Sequence, residues 1–465
     1  MSKFCRFFAA LIVSASLSSA ASETAPKYIF YYIGDGMGMG HVLATQTYNR
    51  MVLGEDKPLL MMQFPVAGIA TTYSASSPVT DSAAAGTALA TGSKTKNGML
   101  GMNADTVSVS SVAQELFAKG YGVGIVTSVY PDDATPGAFF AHQPSRNKTL
   151  AIGLEAAASG YQFIGGSNLR SVKDKEGNST GLIEAFAENG VDYVRGADAA
   201  ASSTSSRIFM VNTDSLHVSN IGYTIDSLDN VLTLPLMTST CLNHLEKWTP
   251  DAFFMMVEGG NIDHAAHAND GATVIKEILN FNEALEIAYK FYLAHPDETL
   301  IVVTADHDTG GMSIGSRYLG SNMKPQYVDY QRQSKDRFNE DCKAILRSRR
   351  IYTWEDMKEK LEEDFGFWKA VPVTEKQTAT LKEKFEKTFE LRNSEDEKTL
   401  YANYNEFSTY VFQLFNDICG IGWISTSHTG NYVPVYAIGV GADKFSGIHD
   451  NADLADLIRE VSGLK

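Results

Sequence analysis

Cysteine is scarce: the 465 residues hold four, and Cys5 lies in the leading segment. Cys241, Cys342 and Cys419 remain, far apart and odd in number, which excludes a disulfide-built scaffold. One bridge is open to them, Cys342 with Cys419, and so is a set of buried free thiols. Basic residues are in deficit, with 39 Lys and Arg against 55 Asp and Glu and a formal charge of −16. That balance excludes a nucleic-acid or anionic-membrane face over the outer surface, because both need clustered Lys and Arg. Long apolar runs are also missing: no stretch beyond the leader reaches about 18 uninterrupted apolar residues, so no transmembrane helix is expected. There is no internal repeat and no low-complexity segment. Hydrophobic residues make up 44% and charged residues 20%, which excludes a mostly disordered or collagen-like chain. The length suits one large α/β domain with insertions, or two to three domains.

The first twenty residues read as a leader, not as fold. Lys3 and Arg6 form a basic start, residues 7–17 a short apolar stretch, and Ser18-Ser19-Ala20 a small-residue cleavage site. This is the pattern of a Sec-type signal peptide and implies a periplasmic or secreted protein.

Near-continuous apolar runs at residues 28–33, 123–127, 208–211, 253–257 and 300–304 suit parallel strands covered on both faces, and 433–440 reads as a late strand. Helical patterns lie between them, as in Ile278, Phe281, Leu285 and Ala288. Residues 111–119 suit a helix with Gly120 at its C-cap. The alternation implies a doubly wound α/β domain, mostly parallel, with helices on both faces of a central sheet. Ligands bind such sheets beyond the carboxyl ends of the strands.

Residues 317–420 differ, being charge-dense and helical in pattern. Thr353 and Asp356 form a capping box before Met357, Leu361 and Phe365; Thr374 and Gln377 start a second helix with Leu381, Phe385 and Phe389. A third carries Phe407, Val411, Leu414 and Ile418 and ends at Gly420. This stretch reads as a helical insertion. The expected organisation is a leader at 1–20, an α/β core at 21–316, the insertion at 317–420, and the rest of the core at 421–465.

Polar clusters sit at the expected strand ends. Ser82 heads an Ala-rich helix, where it is either an anion site beside free N–H groups and the positive dipole end or an ordinary N-cap. Asp263 and His267, four apart, face the same way on one helical turn and offer the O and N donors that zinc accepts. Asp306-His307 is a second such pair after the next strand, Asp35 closes the first strand, Glu258 closes another, and His428 lies in Thr426-Ser-His-Thr-Gly430. Acidic and His residues recurring at separate strand ends that the fold brings together point to one metal-dependent site.

With these residues in view, the sequence resembles the alkaline phosphatase family. The match runs through Ile33-Gly-Asp-Gly-Met-Gly38, Val79-Thr-Asp-Ser-Ala83, Asp133-Ala-Thr-Pro136 with Arg146, residues 258–267, Thr304-Ala-Asp-His307 and Ser427-His-Thr-Gly430. The resemblance implies hydrolysis of small phosphate monoesters through a phosphoserine on Ser82, two Zn²⁺ and one Mg²⁺, a homodimer, and a crown-like role for the insertion. By the same resemblance, Asp263, His267 and His428 hold one zinc, and Asp35, Asp306 and His307 the other. Asp35, Glu258 and Thr135 hold magnesium, Asp133 stands beside the magnesium waters, and Arg146 clamps two phosphate oxygens. His264 is expected either to bridge to phosphate through water or to pack nearby. Within the wider superfamily, a phosphodiesterase or sulfatase is the alternative. A sulfatase needs a C/S-x-P-x-R context that Ser82-Ala-Ala-Ala-Gly86 lacks, and Arg146 favours a terminal phosphate. Three divalent ions with Arg146, set against five assigned acidic residues, leave the pocket formally at about +2, so an acidic protein can still bind an anion there.

Overall fold

The computed structural model describes residues 25–213, 220–228, 231–348 and 351–465; the expected leader lies outside the described residues. Ten strands form the central sheet: β1 (Tyr28–Gly34), β2 (Val66–Thr71), β3 (Gly122–Thr127), β4 (Phe163–Gly165), β5 (Asp192–Arg195), β6 (Ile208–Val211), β7 (Phe253–Glu258), β8 (Thr299–Ala305), β9 (Val433–Gly439) and β10 (Gly447–Asp450). Their order is β10-β2-β9-β8-β1-β7-β3-β4-β6-β5. β1, β3, β7 and β8 are buried along their whole length, as expected of strands covered on both faces. The aromatic rings of β1 interlock with β7: Tyr28 and Phe253 lie 4.9 Å apart between centroids, and Phe30 meets Phe253 edge-on at 5.4 Å.

The late strand is where the parallel expectation gives way. β9 runs antiparallel to both β8 and β2, whereas the other neighbouring pairs are parallel. The chain leaves β8 at its carboxyl end, builds a long inserted stretch there, and returns to the sheet from that same end. A strand entered from that side can only run the other way. Both ends of the inserted stretch are therefore beside the carboxyl edge of the sheet.

That stretch holds the helices Lys335–Arg347, Trp354–Phe365, Glu375–Phe385 and Glu406–Cys419. The capping boxes at Thr353/Asp356 and Thr374/Gln377 are both formed, and the apolar residues behind them are buried. Gly420 ends the last helix at φ +78°. One feature departs from the all-helical expectation: Glu397–Lys398 pairs antiparallel with Asn403–Tyr404 in a small hairpin. Cys241, Cys342 and Cys419 are buried free thiols, so the Cys342–Cys419 bridge does not form.

Candidate active site

Three strand ends supply the site. Asp35 follows β1 directly, Glu258 is the last residue of β7, and Asp306-His307 follows β8. Strand register sets Ile33 beside Glu258 and Gly34 beside Ala305, so these ends lie shoulder to shoulder. After β7 two glycines turn the chain into the helix Asn261–His267, which carries Asp263 and His267. His428 arrives on a two-residue ribbon, His428–Thr429, paired with Asp308–Thr309. The packing is close enough to require glycine at 36: its φ is +69°, and a Cβ there would stand 2.8 Å from both Asp263 Oδ1 and Thr309 Oγ1.

Ser82 opens the helix Ser82–Thr91 but does not cap it. The N-cap is Asp81, whose Oδ1 accepts from the Ala84 N–H at 3.0 Å. The Ser82 hydroxyl is thus free of capping duty. It is buried and lies 3.1 Å from His307 Nε2.

The histidine tautomers follow from their partners. His267 Nδ1–H donates to the Thr426 carbonyl at 2.6 Å, and His428 Nδ1–H donates to the Thr80 carbonyl at 2.9 Å. Each Nε2 is left as an acceptor turned to the site. The two Nε2 atoms are 3.0 Å apart, with Asp263 Oδ1 at 3.4 Å from His267 and 3.7 Å from His428. Two lone pairs facing at that distance repel unless a cation joins them. Nitrogens on one tetrahedral zinc, at ~2.0–2.1 Å each, stand roughly 3.3 Å apart, so the set fits.

A second set, Asp35, Asp306 and His307, brings its ligand atoms within 4.8 Å of one another. His307 Nε2 lies 3.4 Å from Asp35 Oδ1 and 3.2 Å from Asp306 Oδ2. Neither oxygen has a hydrogen-bond partner among the described residues. Buried carboxylate oxygens without partners are costly, which makes this set too a fit for a cation. The His307 and His428 rings stack at 3.6 Å, so the two sets adjoin, and Asp263, His307 and His428 also converge. Beside them Glu258 Oε2 accepts from the Thr127 hydroxyl, while Thr135 Oγ1 is buried without a partner among the described residues. Asp35, Glu258 and Thr135 thus offer oxygen donors alone, the chemistry that suits Mg²⁺.

The electrostatics agree with a site built for cations. Burial, reinforced by Asp306, Asp263 and Glu258, pushes Asp35 well above the usual carboxylate range. Burial likewise raises Asp306 to about 7 and Glu258 to about 8. Burial and the neighbouring His428 keep His307 neutral, well below the ordinary imidazole value. Burial opposes ionisation of Asp263 as well, but the facing His267, His428 and His307 hold it low. Carboxylates crowded this way resist ionising together unless positive charge is added.

Arg146 closes one side. Its Nη2 donates to Asp133 Oδ1 at 2.8 Å, and its Nη1 is 3.6 Å from Asp81 Oδ2. Asp133 also caps the short helix Ala134–Gly137, accepting from the Ala134 N–H at 2.7 Å. Although burial opposes it, Arg170 and Arg146 keep Asp133 below the usual carboxylate range. The His264 ring lies against Tyr401 at 3.8 Å, and burial lowers its pKa.

Four neighbours of the site carried no signal that sequence reasoning used. Asp81 orients Arg146 and caps the Ser82 helix; an Asp just before a helical Ser is the clue to it. Thr309 donates to Asp263 Oδ1. Arg170 stands 3.5 Å from Asp133. Tyr401, in the turn of the inserted hairpin, donates to Asp263 Oδ2 at 2.9 Å.

The family model described as alkaline phosphatase matches residues 26–173 and 163–464. Alkaline phosphatase 4 of Bacillus subtilis is 30% identical over 475 residues, covering 97% of this chain and 94% of its own length. The crystal structure of a cold-active alkaline phosphatase from the psychrophile Shewanella sp. superposes with a TM-score of 0.78 at 26% identity, covering 93% of this chain and 99% of that one. The alkaline phosphatase of Thermus thermophilus gives the same TM-score and identity, covering 98% of this chain and 96% of its own.

Proposed function

Because the chain belongs to the alkaline phosphatase family and hydrolyses phosphate monoesters in a metal-dependent reaction, we propose that Ser82 is its nucleophile and passes through a phosphoserine. The observation that carries this reading is the 3.1 Å approach of Ser82 Oγ to His307 Nε2, at the junction of two donor sets and near Arg146. Asp263, His267 and His428 would hold one Zn²⁺, and Asp35, Asp306 and His307 the second. Asp35, Glu258 and Thr135 would hold Mg²⁺, with Asp133 beside its waters. When bound, these ions supply Lewis acidity that lowers the pKa of the Ser82 hydroxyl and of an attacking water.

The chain's own residues do the rest. Ser82 Oγ attacks phosphorus as its alkoxide, and the ester P–O bond breaks, the leaving oxygen taking a proton from solvent to depart as the alcohol. Water then attacks the phosphoserine, its proton is lost to solvent, and Ser82 Oγ leaves as inorganic phosphate is freed. As the first residue of its helix, Ser82 keeps the phosphoryl group at the positive dipole end. Arg146 presents a planar fork to two non-bridging oxygens. Asp133 and Asp81 restrain that fork before substrate arrives.

A side-by-side assay of a chromogenic phosphate monoester, a phosphate diester and a sulfate ester tests the reading. Fast turnover of the monoester with acid-stable phosphate on the Ser82 peptide supports it. Preferred turnover of the diester or the sulfate would replace it with the phosphodiesterase or sulfatase alternative.

Export and assembly follow as proposals from the sequence. Residues 1–20 act as a cleaved signal peptide and the enzyme works in the periplasm or outside the cell, which N-terminal sequencing of the mature protein tests. No helix among the described residues is long and apolar enough to cross a membrane. A homodimer, with residues 317–420 as a crown over substrate access, is tested by light scattering on the intact enzyme.

A further inference from the structure

The hairpin in the inserted stretch reaches into the site. Glu397–Lys398 pairs with Asn403–Tyr404, and the turn between them carries Tyr401. The turn is locked: the Thr399 N–H and hydroxyl both donate to the Ala402 carbonyl, at 2.9 and 3.0 Å. The hairpin is tied to the inserted helices by the Asn339 amide, which donates to the Asn403 carbonyl at 3.0 Å. The Tyr404 hydroxyl adds a second tie by donating to Asp336. Lys335 joins it to the core, 3.4 Å from Glu397 and donating to the Ala268 carbonyl at 3.0 Å, one residue beyond His267.

Tyr401 is 39% exposed as a residue, yet its hydroxyl reaches Asp263, which is 0% exposed. It touches three residues of one short helix: it donates to Asp263 Oδ2 at 2.9 Å, lays its ring on His264 at 3.8 Å, and stands edge-on to His267 at 5.2 Å. The two oxygens of Asp263 are thereby divided. Oδ1 faces the Nε2 atoms of His267 and His428 and is steadied by Thr309 from the core. Oδ2 belongs to the phenol. A carboxylate rotates about its last bond, and hydrogen bonds to both of its oxygens, from Thr309 and from Tyr401, fix that rotation.

We propose that Tyr401 is a positioning residue for Asp263, through which the inserted hairpin sets how firmly the Asp263, His267 and His428 set retains zinc. The proposal rests on Asp263 being a zinc ligand.

The test uses the full-length protein loaded with zinc and magnesium, mixed with excess chromogenic zinc chelator, and follows zinc release. Tyr401→Phe keeps the ring on His264 and deletes the donor. It is expected to release zinc on the order of ten-fold faster than the parent. The chelator-stripped variant should melt with the stripped parent. Equal release rates overturn the proposal. So does a lowered melting temperature of the stripped variant that accounts for the release, since that assigns Tyr401 to packing alone. Asp263→Asn separates the two levels. If it retains zinc like the parent, the ligand reading itself fails; if it loses zinc while Tyr401→Phe does not, only the Tyr401 proposal fails.

Discussion

Asp133 Oδ1 accepts a hydrogen bond from Arg146 Nη2 at 2.8 Å, and the same carboxylate stands 3.5 Å from Arg170. One buried acid thus restrains the guanidinium that we propose clamps phosphate. A planar fork can keep one N–H on Asp133 and turn others to two phosphate oxygens, whereas a lysine ammonium cannot span them. Arg146→Lys is therefore expected to lower kcat/KM for a monoester by roughly 10- to 100-fold and to weaken inhibition by inorganic phosphate in parallel. Steady-state kinetics with phosphate as inhibitor measures both. Unchanged phosphate inhibition would remove Arg146 from the binding site.

Ser82 is buried, carries no capping role, and faces His307. Ser82→Ala removes one hydroxyl from a helix whose cap is Asp81, so the fold should be kept. Turnover should fall by roughly 10⁴-fold or more. Zinc and magnesium content, read by elemental analysis, should stay at the parent level. A variant as active as its parent would show that the covalent route through Ser82 is wrong.

Asp35 is shared by two of the proposed donor sets, and its Oδ1 is buried without a partner among the described residues. Asp35→Asn should therefore cost more metal than Glu258→Gln, losing zinc and magnesium together where Glu258→Gln loses magnesium. It should also be more damaging than Asp133→Asn, whose carboxylate contacts arginines. Elemental analysis after extensive dialysis ranks the three. Chelators should inactivate the parent, and zinc with magnesium should restore it; indifference to chelation would contradict the three-ion arrangement.

How much of this was legible in the sequence depends on the distance over which each role is defined. Asp35, Glu258, Asp306 and His307 stand beside their strands, so a run of apolar residues ending in an acid or histidine announces them. Asp263 and His267 are one helical turn apart and could be read locally. Ser82 was legible as a helix start, though the cap falls on Asp81, one residue earlier. The direction of β9 was not legible, because it follows from where a hundred-residue insertion re-enters the sheet, not from the strand's own residues. Tyr401 was hidden for the same reason. It meets Asp263 across 138 positions, from the turn of a two-residue ribbon inside a segment whose helical periodicity dominates.

Glu277 offers a test of buried charge away from the proposed ligands. Its Oε1 accepts from the Thr224 N–H at 2.7 Å and its Oε2 from the Asn261 amide at 3.1 Å, at the start of the helix that carries Asp263. Burial nevertheless raises its pKa from 4.5 to about 7. Between those values the native state holds a proton that the unfolded chain has released. Stability contributed by the protonated group is then complete below pH 4.5 and is lost as pH rises through about 7. The full loss is at most about 3 kcal/mol. Glu277→Gln cannot ionise and keeps an acceptor for the Thr224 N–H. The variant should melt with the parent near pH 4.5 and above it at pH 8, so that the difference grows across this window. Calorimetry of both proteins at a series of pH values, with metals saturating throughout, gives the curve. A variant no more stable than its parent at pH 8 would show that Glu277 ionises in the fold without penalty.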